Sequence, residues 1–391
     1  MNMNNKNWVS VWGNAVSIAE HHPEAYAKYI TLRYPVYIPF DGDTLRFTFD
    51  NFCGSEAVTV TRATVSAATS PVYEKMPLAC PCKKETICDI TFSKNESMEA
   101  HQTAVSDPVS FPVKKGMTLT VSLYFADFTL MQSAVLVTGP LSKGFFSLGD
   151  QTHADALPMD TTKTTNWFYF LSNIELMTAE ENHTVICYGD SITAGAWPDY
   201  LTLLARQNPD NHTAFIRRAT SGSRVLRQYE CITYDSYGLK GTNRFPHEIP
   251  TTGADTVIIQ QGINDIIHPV GIETNPFRPM SDLPTAKELI DGYRYYIEEA
   301  KKLHLKVYMG TLLPIFGWRT YATFRDDLRN ELNAWIRSAK EIDGCIDFDL
   351  ALRGSENPSA FREGFDSGDH LHPSSKAYQA MAECAYEVLR K

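Results

Sequence analysis

The chain has 391 residues, of which 43% are hydrophobic and 21% charged, a composition typical of folded globular proteins. Its formal net charge of -10 argues against nucleic acid or an anionic membrane surface as a partner. No stretch has the length of uninterrupted apolar sequence that a membrane span requires.

The N-terminal segment, MNMNNKNWVSVWG, contains one lysine and lacks the apolar core of a secretory signal. We therefore expect a cytoplasmic protein whose eight cysteines are free thiols. Cys80, Cys82 and Cys88 form the densest group, and a metal site is one interpretation of it. The group lacks the second matched pair of a zinc site, which favours thiols in loops and strands.

Residues 1–180 are predicted to form an antiparallel, β-sandwich-like accessory domain. Apolar and polar residues alternate in DTLRFTFDNF (43–52) and MTLTVSLYF (117–125), as in strands with one buried face. This domain binds carbohydrate, covers the site or mediates a dimer; the sequence leaves these roles open. Its aromatic residues, which suit either a core or a carbohydrate-binding surface, are Trp8, Trp12, Tyr34, Tyr37 and Tyr73.

Residues 181–391 are predicted to form a doubly wound α/β domain with a parallel sheet. Helical segments alternate with continuous apolar runs at 184–188, 255–260, 305–312 and 344–350, and with a weaker run at 213–217. Such runs are typical of parallel strands that are covered on both faces. Ser374 is the expected N-cap of the last helix. A functional site is expected at the carboxyl ends of the strands.

Ser191 follows the first of these runs, in VICYGDSITAGAW (185–197). It either caps the next helix or acts as a nucleophile, which needs a base and a carboxylate to orient that base. Asp369 and His372, in DSGDHLHPSS before the last helix, can supply both. His370 is an alternative base, but it directly follows Asp369, so its ring tends to point away from that carboxylate.

An acyl-transfer site also needs donors for the developing oxyanion. Asn264 follows the run at 255–260, and its side-chain amide can donate. Gly222 follows the run at 213–217, where glycine lets a backbone N–H approach closely. The N–H of Ser191 is the third candidate. Each residue alone suits a turn or a cap, but their joint placement in the α/β domain favours catalysis.

The segments GDSITAG, the SG of ATSGSR, GIND and DHLH resemble, in order, the signature blocks of the SGNH (GDSL-type) hydrolases. Further stretches, including WFYFLSNIEL and GTLLPIFGW, resemble a bacterial subgroup with an N-terminal β-domain, over nearly the whole chain. The resemblance implies Ser191 as nucleophile, His372 as base and then acid, and Asp369 as its orienting partner. It implies an oxyanion hole of Ser191 N–H, Gly222 N–H and the Asn264 side chain, and no metal or cofactor.

The chain departs from the subgroup in two respects. Arg217 stands where members usually have an Asn, five residues before the glycine of the second block, and we expect changed hydrogen bonding in that loop. Relatives are often secreted, so the lack of a signal favours short, imported substrates. Asp190 is interpreted as a structural residue that bonds loop backbone groups.

These features predict a serine esterase that hydrolyses short esters, above all acetyl esters, on a small-molecule or oligosaccharide substrate. The loops after the strands offer Trp197, His268, Phe316 and Trp318 for substrate binding, a mixture that suits a sugar ring or a small apolar alcohol. A broad short-chain carboxylesterase, lipase-like, is the first alternative. A non-catalytic carbohydrate-binding protein is the second, and an intact catalytic set counts against it.

Overall fold

The computed structural model describes residues 6–20, 25–93 and 97–390. Residues 1–5, which belong to the N-terminal segment that lacks the apolar core of a signal, lie outside the described residues. The chain divides into two compact units, Met1–Thr184 with Arg206–Ile216, and Val185–Ala205 with Arg217–Lys391. The predicted boundary between residues 180 and 181 stays a prediction. No helix of the described residues is long and apolar enough to cross a membrane.

The first unit is rich in antiparallel β-structure, as predicted. One sheet has the order β1-β18-β5-β10 with β11 also paired to β5, and another has the order β16-β15-β4-β12-β7-β8. The strands are β1 (Lys6–Gly13), β2 (Ser17–Ile18), β3 (Tyr26–Ala27), β4 (Ile30–Tyr37), β5 (Gly42–Asp50), β6 (Val58–Thr59), β7 (Arg62–Ala67), β8 (Cys88–Asp89), β9 (Ser97–Met98), β10 (Thr103–Val105), β11 (Val109–Val113), β12 (Thr118–Phe125), β13 (Thr129–Leu130), β14 (Ser133–Leu136), β15 (Gly144–Leu148), β16 (Lys163–Thr165), β17 (Trp167–Tyr169) and β18 (Leu171–Ala179).

The alternation in β5 correctly predicted a strand with one buried face. The same prediction for β12 was wrong. In β5, Leu45, Phe47 and Phe49 are buried, while Arg46 and Thr48 keep some exposure. Every residue of β12 is buried, including those of its polar face. β12 lies between β4 and β7, and its hydroxyl groups find partners inside the protein. Polar alternation therefore marks an internal hydrogen-bonded layer here.

Arg33 of β4 organises this buried polar layer. Its guanidinium donates to Ser122 Oγ (2.9 Å) and to the carbonyl oxygens of Cys80 (3.2 Å), Gln151 (2.7 Å) and Ala154 (2.8 Å). The side chain therefore ties loop carbonyls to the central strands. A buried cation is tolerated when such acceptors surround it.

The cysteine group serves this packing. Cys80 and Cys82 are buried, and Cys88 is partly exposed. Among the described residues, no group of three or more His, Cys, Asp or Glu side chains is placed to hold a metal ion. The aromatic residues considered for carbohydrate binding include core side chains, since Tyr34 and Tyr37 are buried and Tyr34 stacks on Phe168 at 4.6 Å.

The second unit is built around a sheet with the order β20-β19-β21-β22-β23. β21 pairs with β22 and β22 with β23 in parallel, as predicted. The strands are β19 (His183–Gly189), β20 (Thr213–Ala219), β21 (Ala254–Gln260), β22 (Lys306–Gly310) and β23 (Gly344–Ile346). The helices are α1 (Ser191–Ala194), α2 (Trp197–Arg206), α3 (Gly241–Glu248), α4 (Ile263–Ile267), α5 (Ala286–Lys302), α6 (Thr323–Ser338), α7 (Phe348–Leu352) and α8 (Ser375–Leu389).

Local capping explains where these elements begin. Ser374 Oγ accepts from Ala377 N (3.3 Å), which confirms it as the N-cap of α8. The run at 344–350 was predicted to be one strand, but β23 ends at Ile346 and α7 begins at Phe348. The prediction was wrong because Asp347 caps α7 and accepts from Leu350 N (3.1 Å).

We expect Arg33→Met to lower the free energy of unfolding of the β-rich unit by about 2–4 kcal/mol, because it leaves buried carbonyl groups without donors. Urea unfolding followed by circular dichroism measures this. The matched control is Arg62→Met in β7, where the side chain is 49% exposed and pairs with Asp150, and its cost should stay below about 1 kcal/mol. Equal effects of the two substitutions would contradict the role given to Arg33.

Candidate active site

The turn between β19 and α1 places Ser191. Asp190 is the N-cap of α1, and its Oδ1 accepts from Ile192 N (3.1 Å). Ser191 is the first residue of the helix, so the capping role considered for it belongs to Asp190. The Ser191 hydroxyl is therefore free of that role, and its N–H is among the first-turn amides that have no intrahelical acceptor.

The structure brings His372 and Asp369 to Ser191. Ser191 Oγ lies 3.0 Å from His372 Nε2, and His372 Nδ1 lies 2.6 Å from Asp369 Oδ2. Asp369 Oδ1 also accepts from the backbone N–H groups of Leu371 (3.0 Å) and His372 (2.8 Å). The Asp369 carboxylate thus fixes both the ring and the backbone of the turn that carries the histidine.

Asp369 has the electrostatics of a permanent anion. Partial burial acts to raise its pKa, but hydrogen bonds from the His372 ring and from the Leu371 and His372 amides lower the pKa to about 2. The ionised carboxylate favours the tautomer with a proton on His372 Nδ1, which leaves Nε2 as an acceptor toward Ser191.

His370, the alternative base, belongs to a different pair. Its Nδ1 lies 2.5 Å from Asp366 Oδ2, and its side chain is 51% exposed. The ring packs on Gly317, where an added Cβ would lie 2.7 Å from His370 Cγ. The structure therefore places His372 and not His370 on Ser191.

The two further oxyanion candidates lie on adjoining loops. Asn264 in α4 is buried, and its Nδ2 donates to the carbonyl of Ser223 (3.1 Å), the residue after Gly222. Gly222 has a φ of +78°, and an added Cβ would lie 2.3 Å from the Tyr237 ring. Only glycine satisfies both conditions. The bond between Asn264 and Ser223 fixes the side-chain amide beside the Gly222 loop.

Two buried carboxylates hold the backbone of these loops. Asp190 binds Ile192 N, and Asp265 accepts from Val225 N (2.8 Å) and Leu226 N (3.0 Å). Burial raises the pKa of Asp190 to about 7 and that of Asp265 to about 6, although the backbone bonds oppose the shift. The structural role predicted for Asp190 agrees with these contacts.

Arg217, which stands where an Asn was expected, forms buried hydrogen bonds. It is buried, and its Nη2 donates to Asp199 Oδ1 (2.7 Å) and to the carbonyl of Gly195 (3.1 Å). Gly195 is the C-cap of α1. Arg217 therefore ties the end of the Ser191 helix to α2, and the change expected in the loop of the second block stays a prediction.

Trp197 is not available as a substrate-binding residue. Its exposed fraction is 0%, and its ring packs 5.5 Å from Phe348. The prediction was wrong because Trp197 begins α2 and points into the core. Phe316 is 47% exposed, and Trp318 is partly exposed with the Arg319 guanidinium 4.6 Å from its ring.

His268 is buried inside an aromatic cluster. Its ring lies 5.1 Å from Tyr237 and 5.9 Å from Tyr229. Burial, and then the charges of nearby arginines, hold its pKa well below its usual range, so the ring is neutral. Sequence reasoning missed the tyrosines. The signal available for them was their density in YECITYDSYG (229–238), directly after the second block.

Ionisation of Asp190 is expected to destabilise the second unit. Because folding raises this pKa from 3.8 to about 7, the folded state holds more protons and stability falls as pH rises through that window. One group contributes at most about 1.4 kcal/mol per pH unit. Urea unfolding at several pH values gives the slope of the unfolding free energy against pH, which should be shallower for Asp190→Asn than for wild type. Asp327→Asn, an exposed α6 position, is the control; an unchanged slope in Asp190→Asn would contradict the assignment.

Solved structures resemble part of the chain at low identity. A GDSL-like lipase from Bacteroides thetaiotaomicron VPI-5482 is 20% identical with a TM-score of 0.40, over 54% of this chain and 89% of that chain. A member of the lipolytic G-D-S-L family from Veillonella parvula DSM 2008 is 18% identical with a TM-score of 0.36, over 54% and 99%. A catalytic mutant of an acetylxylan esterase from Geobacillus stearothermophilus is 16% identical with a TM-score of 0.39, over 52% and 93%.

A comparison with curated protein sequences finds no match. A family model described as the GDSL-like lipase/acylhydrolase family matches residues 187–380. That range includes all the residues placed around Ser191 above, and it agrees with the family expected from the four sequence blocks. The chain therefore carries a GDSL-like lipase/acylhydrolase domain at residues 187–380.

Proposed function

We propose that this protein is a serine esterase that removes short acyl groups, acetyl above all, from carbohydrate hydroxyls. The observation that carries the proposal is the continuous relay from Ser191 Oγ to His372 Nε2 (3.0 Å) and from His372 Nδ1 to Asp369 Oδ2 (2.6 Å). A hydroxyl, an imidazole and an anion in this order form an activated nucleophile.

The reaction begins when His372 removes the Ser191 proton and the oxygen attacks the ester carbonyl. The tetrahedral oxyanion is stabilised by the N–H groups of Ser191 and Gly222 and by the Asn264 side chain. His372 then donates its proton to the leaving alcohol, and an acyl-serine remains. Water repeats the sequence, which releases the carboxylic acid and restores Ser191.

Packing beside the oxyanion donors supports a short acyl group. Tyr237 lies directly against Gly222, and Asn264 is buried. On the solvent side, Phe316 is exposed, Tyr321 packs on it at 5.1 Å, and Arg319 stacks on Trp318. Aromatic faces beside polar groups suit a sugar ring, which has apolar faces and hydroxyl edges.

A broad short-chain carboxylesterase is the second candidate, and exposed apolar side chains favour it. Ile232 is 72% exposed, Ile272 60% and Phe277 47%. Phe277 packs 6.3 Å from Tyr234, so this apolar surface adjoins the tyrosine cluster. An apolar alcohol or a longer acyl chain would find contacts there.

A 4-nitrophenyl ester series separates the two candidates. We expect the rate to be highest with acetate and to fall through butyrate and octanoate, with acetate released from acetylated xylo-oligosaccharides. Rates that rise with chain length would favour the second candidate. If a fluorophosphonate labels wild type but neither Ser191→Ala nor His372→Ala, the serine mechanism holds. Full esterase activity in Ser191→Ala would overturn it.

The matched control for the histidine is His370→Ala, which removes the neighbouring imidazole. We expect His372→Ala to abolish labelling of Ser191, because no other base among the described residues is hydrogen-bonded to its hydroxyl. His370→Ala should keep the labelling. Loss of labelling in His370→Ala with retention in His372→Ala would reverse the assignment of the base.

Asn264→Ala tests the oxyanion hole. Loss of one donor is expected to lower kcat by about 10²–10³-fold, with a smaller change in KM, since the bond strengthens in the transition state. Asn264→Asp keeps the shape but cannot donate, so it should lose activity similarly, while melting curves check the fold. Near-normal kcat in Asn264→Asp would remove Asn264 from the mechanism.

A further inference from the structure

Arg278 is a buried cation without a carboxylate partner. It is 8% exposed, and no Asp or Glu in the described part of the chain forms an ion pair with its guanidinium. Its one side-chain hydrogen bond to a described residue is long, from Nη2 to Tyr237 Oη (3.4 Å). A buried charge is costly unless it is paired, so this arrangement needs an explanation.

Aromatic rings surround Arg278 in place of an anion. Its guanidinium lies 4.2 Å from the Tyr234 ring centroid, 5.7 Å from Tyr229 and 5.8 Å from Tyr237. Cation–π contacts compensate for part of the lost hydration but leave N–H groups unused. The Arg278 Nε is buried and has no hydrogen-bond partner among the described residues.

The same cluster contains further buried polar atoms that lack partners. They are Arg224 Nε, His268 Nδ1 and Tyr229 Oη. Arg224 lies 4.3 Å from the Tyr229 ring, and His268 lies 5.9 Å from it, so these residues form one group with Arg278. Buried polar atoms are nearly always satisfied in proteins, which indicates a polar occupant.

This group adjoins the oxyanion donors. Tyr237, which accepts the Arg278 bond, is the ring that packs against Gly222. His268 directly follows α4, the helix that carries Asn264. A molecule held at Arg278 would therefore lie beside the residues proposed to bind the oxyanion.

The local charge is positive in a chain whose net charge is -10. Arg224 is neutralised by Asp282 at 3.2 Å, but Arg278 is not paired, and Arg319 also lies close enough to affect His268. His268 is itself neutral, so it adds hydrogen-bonding capacity without charge. The excess positive charge belongs to the guanidinium of Arg278.

We propose that Arg278 and the surrounding tyrosines bind a carboxylate on the substrate, so that the enzyme prefers anionic esters such as acetylated uronic acids. A guanidinium pairs with a carboxylate through charge-assisted hydrogen bonds, and the unused Nε supplies one of them. This inference rests on the proposed function for turnover, but the binding itself does not need catalysis.

The test compares matched esters with and without a carboxylate. One pair places the charge on the alcohol side, an O-acetylated methyl glucuronoside and its uronamide. A second pair places it on the acyl side, 4-nitrophenyl hydrogen succinate and 4-nitrophenyl butyrate. We expect kcat/KM to favour the anion by about 10- to 100-fold in one pair, the usual effect of one charge-assisted contact. The pair that shows the preference tells which side of the ester faces Arg278.

Substitution of Arg278 links the preference to this site. Arg278→Met should reduce the anion-to-neutral ratio to about 1, and Arg278→Lys should retain part of it because the charge stays. Arg227→Met is the matched control, since Arg227 is 49% exposed and shares the Asp282 carboxylate; its ratio should equal that of wild type. A ratio near 1 in wild type, or one that survives Arg278→Met, would overturn the inference.

Calorimetric binding of the uronate and the uronamide to Ser191→Ala separates this inference from the proposed function. Tighter binding of the uronate, lost in Ser191→Ala with Arg278→Met, supports the carboxylate site even if no ester is hydrolysed. Hydrolysis of neutral acetates with equal binding of both ligands would leave the esterase proposal intact and refute the role of Arg278. Arg278→Lys guards against an effect of misfolding.

Discussion

Backbone N–H groups bonded to aspartate side chains hold the loops around Ser191 in place. Asp190 binds the first turn of α1, Asp265 binds the loop after Gly222, and Asp369 binds the turn that carries His372. Their surroundings then give the three carboxyl groups different pKa values. Burial raises the pKa of the first two, while hydrogen bonds from the His372 ring and from two backbone amides outweigh partial burial and lower that of Asp369 to about 2. One side-chain type thus supplies two structural anchors and one permanent anion.

Strand order and local sequence signals explain which parts of the candidate site could be predicted. Ser191, Gly222 and Asn264 follow β19, β20 and the neighbouring β21, and strand order brings those strand ends together. Apolar runs without alternation identified the strands, and short-range capping chemistry at Ser374 placed α8. Such signals are local, so they can be read before the tertiary structure is known. The match of the family model over residues 187–380 agrees with that interpretation.

What the sequence could not predict depends on tertiary burial. Trp197 is an aromatic residue in a loop region after a predicted strand, which suggested a cleft. In the structure it begins α2 and lies in the core. The sequence of β12 predicts a solvent-exposed polar face. In the structure that face is buried, and the Arg33 guanidinium is hydrogen-bonded to Ser122. The tyrosines of the loop at 229–238 surround Arg278 only because the loop at 270–280 packs against them. Each case depends on contacts between residues far apart in the chain, which periodicity does not contain.

The central claim is that Ser191 becomes covalently acylated. Mass spectrometry of the enzyme, quenched in acid during turnover of an acetyl ester, tests it most directly. We expect one acetyl group per chain, on the peptide that contains Ser191, and none in Ser191→Ala. An enzyme that turns over the ester while Ser191 stays unmodified, or that carries the acetyl group on another residue, would contradict it.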